Sequence, residues 1–422
     1  MRRRMTAVRL IIIVLEEKLM KRKIVITVSL VISLLVIVYA QNTNRLKESG
    51  FNNAFTLPPE TPYEQYVELM TKVIAAARLE TDNKEAIVAM NSPFVYKPAE
   101  KPVNNIYSKG ILLIHGLSDS PYFLQAIGKY FASKGFLVYG LLLPGHGTVP
   151  GDLLKVTYDE WIKATHYGML QLKKNAQEVY MGGFSTGATL SVNYVLSNTN
   201  HDVKGLFLFA PAFAINSSVA WLAPIVSTFK DWTDIDDDVD YTKYQSLTLN
   251  GAAQTYKLIK KVDSYFEEGK TISVPVFVVQ SIDDETVKAE RTLYVMKNYV
   301  TGKKMFVLYT TQPEKDYDGE DNFVVTVNSF LPKEKILNFP HICVTIPPDD
   351  PHYGRNGDYR NCLYYKQGSP ERNKCLTDPN IWKGETTAEN IEKYKVIARL
   401  TYNPYFDEMC QKIVEFLNII KK

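Results

Sequence analysis

The feature that most constrains this chain is the run from Glu178 to Val192, which contains Gly183-Phe184-Ser185-Thr186-Gly187. Val179-Tyr180-Met181 before it reads as a short buried strand, and 188–196, small and apolar, reads as a helix packed close on a sheet. A strand that turns sharply into a helix at a serine strains the serine backbone and lifts its hydroxyl above the sheet edge. Glycines on both flanks remove the Cβ atoms that would clash in such a turn. Three fixed Gly and Ser positions recur by chance in about one chain in seven of this length. The remaining chain must therefore supply the partners that a serine nucleophile needs.

With 422 residues and 45% hydrophobic content the chain can bury a large core, either one big domain or one with insertions. Its net charge of +3 is unevenly spread. Residues 1–23 hold eight Lys/Arg and two Glu, which leaves 41 basic against 44 acidic residues in the body. A mildly acidic body without a basic, aromatic-interleaved patch argues against a nucleic-acid partner. Lys21-Arg22-Lys23 precedes 24–40, a run without charge that is at the lower limit for crossing a bilayer. Flanking cations hold such a segment with its N-terminus in the cytoplasm. The expectation is a transmembrane signal anchor, or else a signal peptide cleaved after Ala40, so that the body is exported to the periplasmic or extracellular side.

Residues 41–105 read as a linker and a packing helix, with Tyr66, Leu69, Met70, Val73, Ile74 and Ala77 at helical spacing. The main domain is expected over 106–422. Ile111-Leu112-Leu113-Ile114, 136–139, 179–181, 205–210 and 274–280 are apolar runs separated by helical patterns, which predicts a doubly wound, mostly parallel sheet. Ligands of such sheets bind at the carboxyl ends of the strands, where His115-Gly116 and Ser185 fall. Lys304 to Tyr309 is the last strand expected, with 310–338 read as an insertion and 345–385 as a loop-rich one.

Leu113-Ile114-His115-Gly116-Leu117, Leu143-Pro144-Gly145-His146-Gly147, Trp161 and the Ser185 pentapeptide, in that order, resemble the α/β-hydrolase superfamily, in particular bacterial carboxylesterases and monoacylglycerol lipases. Thr186 stands where relatives often carry Met or Gln, a position that acts through its backbone N–H. The resemblance implies Ser185 as nucleophile, an oxyanion hole from the N–H groups of Leu117 and Thr186, and a helical cap over 211–271. Trp221, Leu222, Ile225 and Phe229 of that cap either line an acyl pocket or form its small core. The acidic run 231–240 reads as a solvated surface. Asp284 matches the family's acid in Ser281-Ile282-Asp283-Asp284-Glu285-Thr286-Val287, with Asp283 as fallback. The family order Ser, Asp, His leaves His341 and His352 as the base. His341 is preferred for its apolar surroundings and its place directly after the last expected strand. His352 reads as an ordinary pair with Asp349 or Asp350.

The implied activity is hydrolysis of a carboxylic ester of short to medium acyl chain, with a monoacylglycerol or other membrane-derived lipid among the candidates, through an acyl-enzyme and with no cofactor or metal. Peptidases and acyltransferases share the fold, and a tethered binding protein that has kept the fold is the different-class alternative. Cys343 and Cys410 sit in apolar patterns and read as buried thiols. Cys362 and Cys375 lie in a polar segment that lacks a core of its own, and a bridge between them is expected in an oxidising compartment.

Overall fold

The computed structural model describes residues 44–51, 57–198, 200–237 and 239–421; the apolar segment 24–40 lies outside them. Among the described residues no helix is long and apolar enough to cross a membrane. The elements below all fall in one unit, Glu48–Lys422. Its strands are β1 (Phe94–Tyr96), β2 (Tyr107–Ile114), β3 (Phe136–Leu141), β4 (Ala176–Phe184), β5 (Val203–Phe209), β6 (Trp232–Asp234), β7 (Leu247–Thr248), β8 (Val276–Ser281), β9 (Lys304–Thr310), β10 (Val324–Asn328), β11 (Trp382–Gly384) and β12 (Ile397–Arg399). Eight form one sheet in the order β1-β3-β2-β4-β5-β8-β9-β10, in which only β1 runs antiparallel to its neighbour. β6 with β7 and β11 with β12 make two small separate pairs.

The helices that cover the sheet or flank the site are α1 (Tyr63–Ala77), α2 (Lys84–Asn91), α3 (Gln125–Ser133), α4 (Tyr158–Asn175), α5 (Thr186–Ser197), α6 (Leu249–Glu267), α7 (Ala289–Asn298) and α8 (Phe406–Lys421); Pro370–Thr377, Ala388–Tyr394 and shorter helical turns lie between them. Side chains alternate across the sheet with the period of two that a pleated strand imposes. Leu112, Ile114, Met181, Leu206 and Val278 meet Met70, Trp161, Met169, Leu258 and Val295 on one face. Ile111, Leu113, Phe207, Phe277 and Val279 meet Ile127, Phe131, Met409, Ile413 and Phe416 on the other. Both faces are covered, which explains why the strands read as unbroken apolar runs. Phe416 of α8 packs its ring 6.0 Å from Phe207 and 5.7 Å from Phe277. Truncating a ring buried this way costs about 3–5 kcal/mol. α4 starts where Thr157 accepts from the Glu160 N–H at 3.3 Å while Glu160 accepts from the Thr157 N–H at 2.7 Å, a reciprocal cap that satisfies two otherwise orphaned donors.

Register sets the site. Ile114 lies opposite Gly183, Phe184 opposite Phe209, and Phe209 opposite Val279. The carboxyl ends of β2, β4, β5 and β8 therefore finish side by side, and the loops that follow converge.

Several readings need correction. Val324–Asn328 is a sheet strand, not part of an insertion; it pairs only with β9 and stays half-exposed, so its apolar pattern is weak. Edge strand β1 was equally silent, being three residues long. Trp221, Ile225 and Phe229 neither line a buried pocket nor form a core: they are 56%, 55% and 88% exposed. Asp240, at the end of the acidic run, is buried. The 345–385 region does have a core, in which Cys362, Tyr365, Cys375 and Ile381 pack with Val396 and Ala398. Cys362 and Cys375 are bridged, and Cys343 and Cys410 are buried thiols. Burial pushes the Cys343 thiol well up and the Cys410 thiol to about 12, so both stay protonated at neutral pH.

Candidate active site

Ser185 sits between the last residue of β4 and the first of α5, with φ +54° and ψ −116°. A non-glycine residue held there stores roughly 1–3 kcal/mol of strain, which the surroundings must offset. Backbone hydrogen bonds do so: Ser185 N–H donates to Phe209 O at 2.9 Å, and Ser185 O accepts from the N–H groups of Ala188 at 3.1 Å, Thr189 at 3.2 Å and Ala212 at 3.2 Å. The flanking glycines are obligatory on steric grounds. A Cβ on Gly187 would lie 1.9 Å from Ile114 O, and one on Gly183 would lie 2.3 Å from the Gly187 carbonyl carbon.

The Ser185 hydroxyl is 3.0 Å from His341 Nε2, and His341 Nδ1 is 2.7 Å from Asp284 Oδ2. All three side chains are buried. The other Asp284 oxygen accepts the backbone N–H groups of Thr286 at 2.8 Å and Val287 at 3.0 Å. An ionised carboxylate only accepts, so it fixes the proton of His341 on Nδ1 and leaves Nε2 free to take a proton from the serine. His341 opens a single tight turn after Pro340, with its ring 4.8 Å from that of Phe184.

Leu117 is held from both sides. Gly116 O accepts from His115 Nδ1 at 2.8 Å, and Ser118 N–H donates to His146 Nε2 at 3.1 Å. His115 Nε2 in turn accepts the Leu143 N–H at 3.0 Å, and Pro144 O accepts both His146 Nδ1 and Trp161 Nε1, each at 3.0 Å. Each imidazole donates through one nitrogen and accepts through the other, which requires the neutral ring. Burial provides it, holding His115 well below its ordinary pKa and His146 near about 4. A Cβ on Gly116 would lie 3.1 Å from Ser185 Cβ, so the Leu117 peptide runs directly beside the serine. The N–H of Thr186, first residue of α5, has no carbonyl within its own helix to bond. The four motifs separated in sequence are thus one hydrogen-bonded unit around Ser185.

Residues 108–312 match the family model described as serine aminopeptidase, S33. Over 97 residues the chain is 30% identical to a thermostable monoacylglycerol lipase of Bacillus sp. (strain H-257), covering 23% of this chain and 38% of that one. It is 21% identical over 250 residues to a carboxylesterase of Bacillus subtilis (strain 168), covering 56% of this chain and 95% of the relative. A monoacylglycerol lipase structure from Paleococcus ferrophilus aligns with TM-score 0.42 and 16% identity over 52% of this chain and 88% of that one. Residues 108–312 thus resemble an α/β-hydrolase.

Other candidates lie elsewhere. Asp283 turns away from His341, with Oδ2 3.5 Å from the Ser329 hydroxyl, and burial pushes its pKa up to about 6. His352 is buried, and its ring pairs with Asp240 at 3.1 Å and Asp358 at 2.5 Å, while Asp350 Oδ1 accepts only its backbone N–H at 2.9 Å. Burial opposes its charge, but the two carboxylates outweigh this and raise its pKa. Among the described residues no group of three His, Cys, Asp or Glu side chains gathers to hold a metal ion.

Sequence reasoning missed how segment 211–271 meets the loop after β2 and the start of α5. Tyr244 N–H donates to Ser118 O at 2.8 Å, Lys243 forms an ion pair with buried Asp119, and Thr255 Oγ1 lies 3.5 Å from Thr186 Oγ1. Burial raises the Asp119 pKa even so, with Lys243 offsetting only part of it. These partners are more than sixty residues apart in the chain, beyond the reach of any local pattern.

Proposed function

We propose that this chain is an α/β-hydrolase and cleaves carboxylic esters through an acyl-enzyme, with Ser185 as nucleophile, His341 as general base and acid, and Asp284 as the orienting acid. Ser185 Oγ adds to the ester carbonyl carbon as its proton passes to His341 Nε2. The resulting alkoxide is met by the N–H groups of Leu117 and Thr186. Preorganised donors of this kind are worth about 100- to 1000-fold each in rate. The C–O bond then breaks, and the alcohol leaves with the proton from His341. Water repeats the sequence on the acyl-serine and regenerates the enzyme. The observation that carries this reading is the Ser185–His341–Asp284 chain at 3.0 and 2.7 Å beside the clamped Leu117 peptide.

Segment 211–271 acts as the cap over the acyl pocket, supported by its contacts with Ser118, Asp119 and Thr186. The favoured substrates are esters of short to medium acyl chain, monoacylglycerols among them. The names of the two Bacillus relatives support the ester class, and the carboxylesterase does so over nearly its whole length. Residues 24–40 tether the domain to a membrane on its exported side, or are removed on export. The Cys362–Cys375 bridge supports an oxidising compartment.

The test is labelling by a fluorophosphonate probe and turnover of p-nitrophenyl butyrate, with and without Ser185→Ala. Labelling should vanish and turnover fall by several orders of magnitude in the variant. Activity retained within about tenfold would refute the nucleophile. Fractionation of the full chain tests the tether, since soluble exported protein beginning at Gln41 would replace the anchor by a cleaved signal.

A further inference from the structure

The insertion after His341 reaches back to the site through one ion pair. Arg399, a fifth exposed, places Nε 2.8 Å from Glu385 Oε1 and donates through Nη2 to Glu385 Oε2 at 3.0 Å. The same Nη2 donates to Thr286 Oγ1 at 3.0 Å, and the Thr286 N–H donates to Asp284. Glu385, itself buried, is tied to the other loop: its N–H donates to Asn338 Oδ1 at 2.7 Å, three residues before His341. The preceding residues run along that same loop, with Leu337 N–H on Lys383 O at 2.8 Å. Gly384 allows the approach, because a Cβ there would lie 2.8 Å from Asn338 Oδ1.

The pair is therefore a bridge between the loop that carries Asp284 and the loop that carries His341. Its two halves arrive on β11 and β12, which pair in parallel with Gly384 opposite Arg399. Those strands belong to the small core around the Cys362–Cys375 bridge, and the Arg399 N–H donates to Asn361 O at 3.0 Å, next to Cys362. We propose that Arg399 and Glu385 are positioning residues that hold the Asp284 and His341 loops at their working separation and keep the charge behind Asp284 balanced. This rests on the triad reading above.

The charge argument has a definite sign. The charged and titratable groups around the Asp284–His341 pair are Asp119 with its partner Lys243, Asp283 with Glu285 near it, Cys343, Glu385 and Arg399. A buried Asp119–Lys243 pair and a protonated Cys343 add little net charge, and Asp283 with Glu285 is common to the wild type and every variant below, so Glu385 against Arg399 sets the difference between them. An arginine keeps its proton in any protein environment. Glu385→Gln therefore leaves an uncompensated cation beside Asp284, which disfavours the imidazolium form of His341.

The test compares the pH dependence of kcat/KM for the wild type, Glu385→Gln and Glu385→Gln/Arg399→Met, with the His341 imidazole titrated by proton NMR in the same proteins. The NMR titration needs no turnover, so it tests the brace even if fluorophosphonate labelling of the wild type were to refute the triad. The acid limb and the NMR midpoint should move in Glu385→Gln to about tenfold higher proton concentration. In the double variant, which removes both charges, they should return close to the wild-type position. A Glu385→Gln midpoint that coincides with the wild type overturns the charge balance, as does a loss of activity by one common factor at every pH. Arg399→Lys covers the case in which Glu385→Gln does not fold. It keeps the cation but not the fork, so kcat should fall about tenfold with KM nearly unchanged. Wild-type kcat in Arg399→Lys overturns the positioning role.

Discussion

Asp284→Asn should abolish activity without unfolding the protein, and the structure says which way the new amide must face. One oxygen of Asp284 accepts two backbone N–H groups, from Thr286 and Val287, and the other accepts His341 Nδ1. An asparagine has one acceptor and one donor end. Turning its NH₂ toward Thr286 and Val287 would strand two donors against a third, at about 1–3 kcal/mol for each buried group left unpaired. The amide oxygen therefore stays on the backbone, and the NH₂ meets His341 Nδ1. That nitrogen must then accept, which moves the imidazole proton to Nε2 and points it at Ser185. The base is lost through the wrong tautomer, an effect of about 10⁴ in kcat where the same logic operates in a serine protease. The assay is kcat on p-nitrophenyl butyrate together with the rate of fluorophosphonate labelling, with thermal unfolding as the control for folding. Asp284→Asn activity within about tenfold of wild type would refute the reasoning, because only the amide orientation rejected above, with its oxygen on His341 Nδ1, keeps Nε2 as a base.

Asp283→Asn should leave activity in place and stabilise the protein in a pH-dependent way. Burial raises the folded-state pKa of Asp283 to about 6, so the acid form is favoured on folding and its contribution is lost as pH rises from the ordinary carboxyl range through that value. The gain from asparagine should reach about 1–2 kcal/mol at pH 7 and vanish below about pH 4, as read by urea unfolding. A gain equal at both pH values would contradict the assignment. His352→Gln breaks the pairs with Asp240 and Asp358 and should cost about 3 kcal/mol near pH 6. The cost should shrink as pH rises through the raised imidazole pKa, while labelling of Ser185 persists; loss of labelling in folded protein would reopen His352 as the base. Replacing Cys362 and Cys375 by serine opens a loop of 13 residues, which should cost about 3 kcal/mol in chemical unfolding. An unchanged midpoint would show that the small core holds this segment without its bridge.

Local pattern carried far into this protein. The apolar strands, the strain-tolerant glycines around Ser185 and the stripe on α8 are each dictated by residues close in sequence, because a pleated strand, a tight turn and a helix face have fixed short periods. The resemblance to the α/β-hydrolases named Ser185, Asp284 and His341 as candidates before any coordinate, since its motifs place them at strand ends in a fixed order. What the chain does across distance was not legible. No short-range signal makes His115 and His146 neutral clamps on the Leu117 peptide. Edge strands β1 and β10 left little trace because a strand with one neighbour buries only part of its surface. The Asp119–Lys243 pair, the Asp240–His352–Asp358 cluster and the Arg399–Glu385 bridge join residues that no short-range pattern brings together. Their chemistry depends on burial and on a partner brought in by the fold, which is why only the tertiary structure decides them.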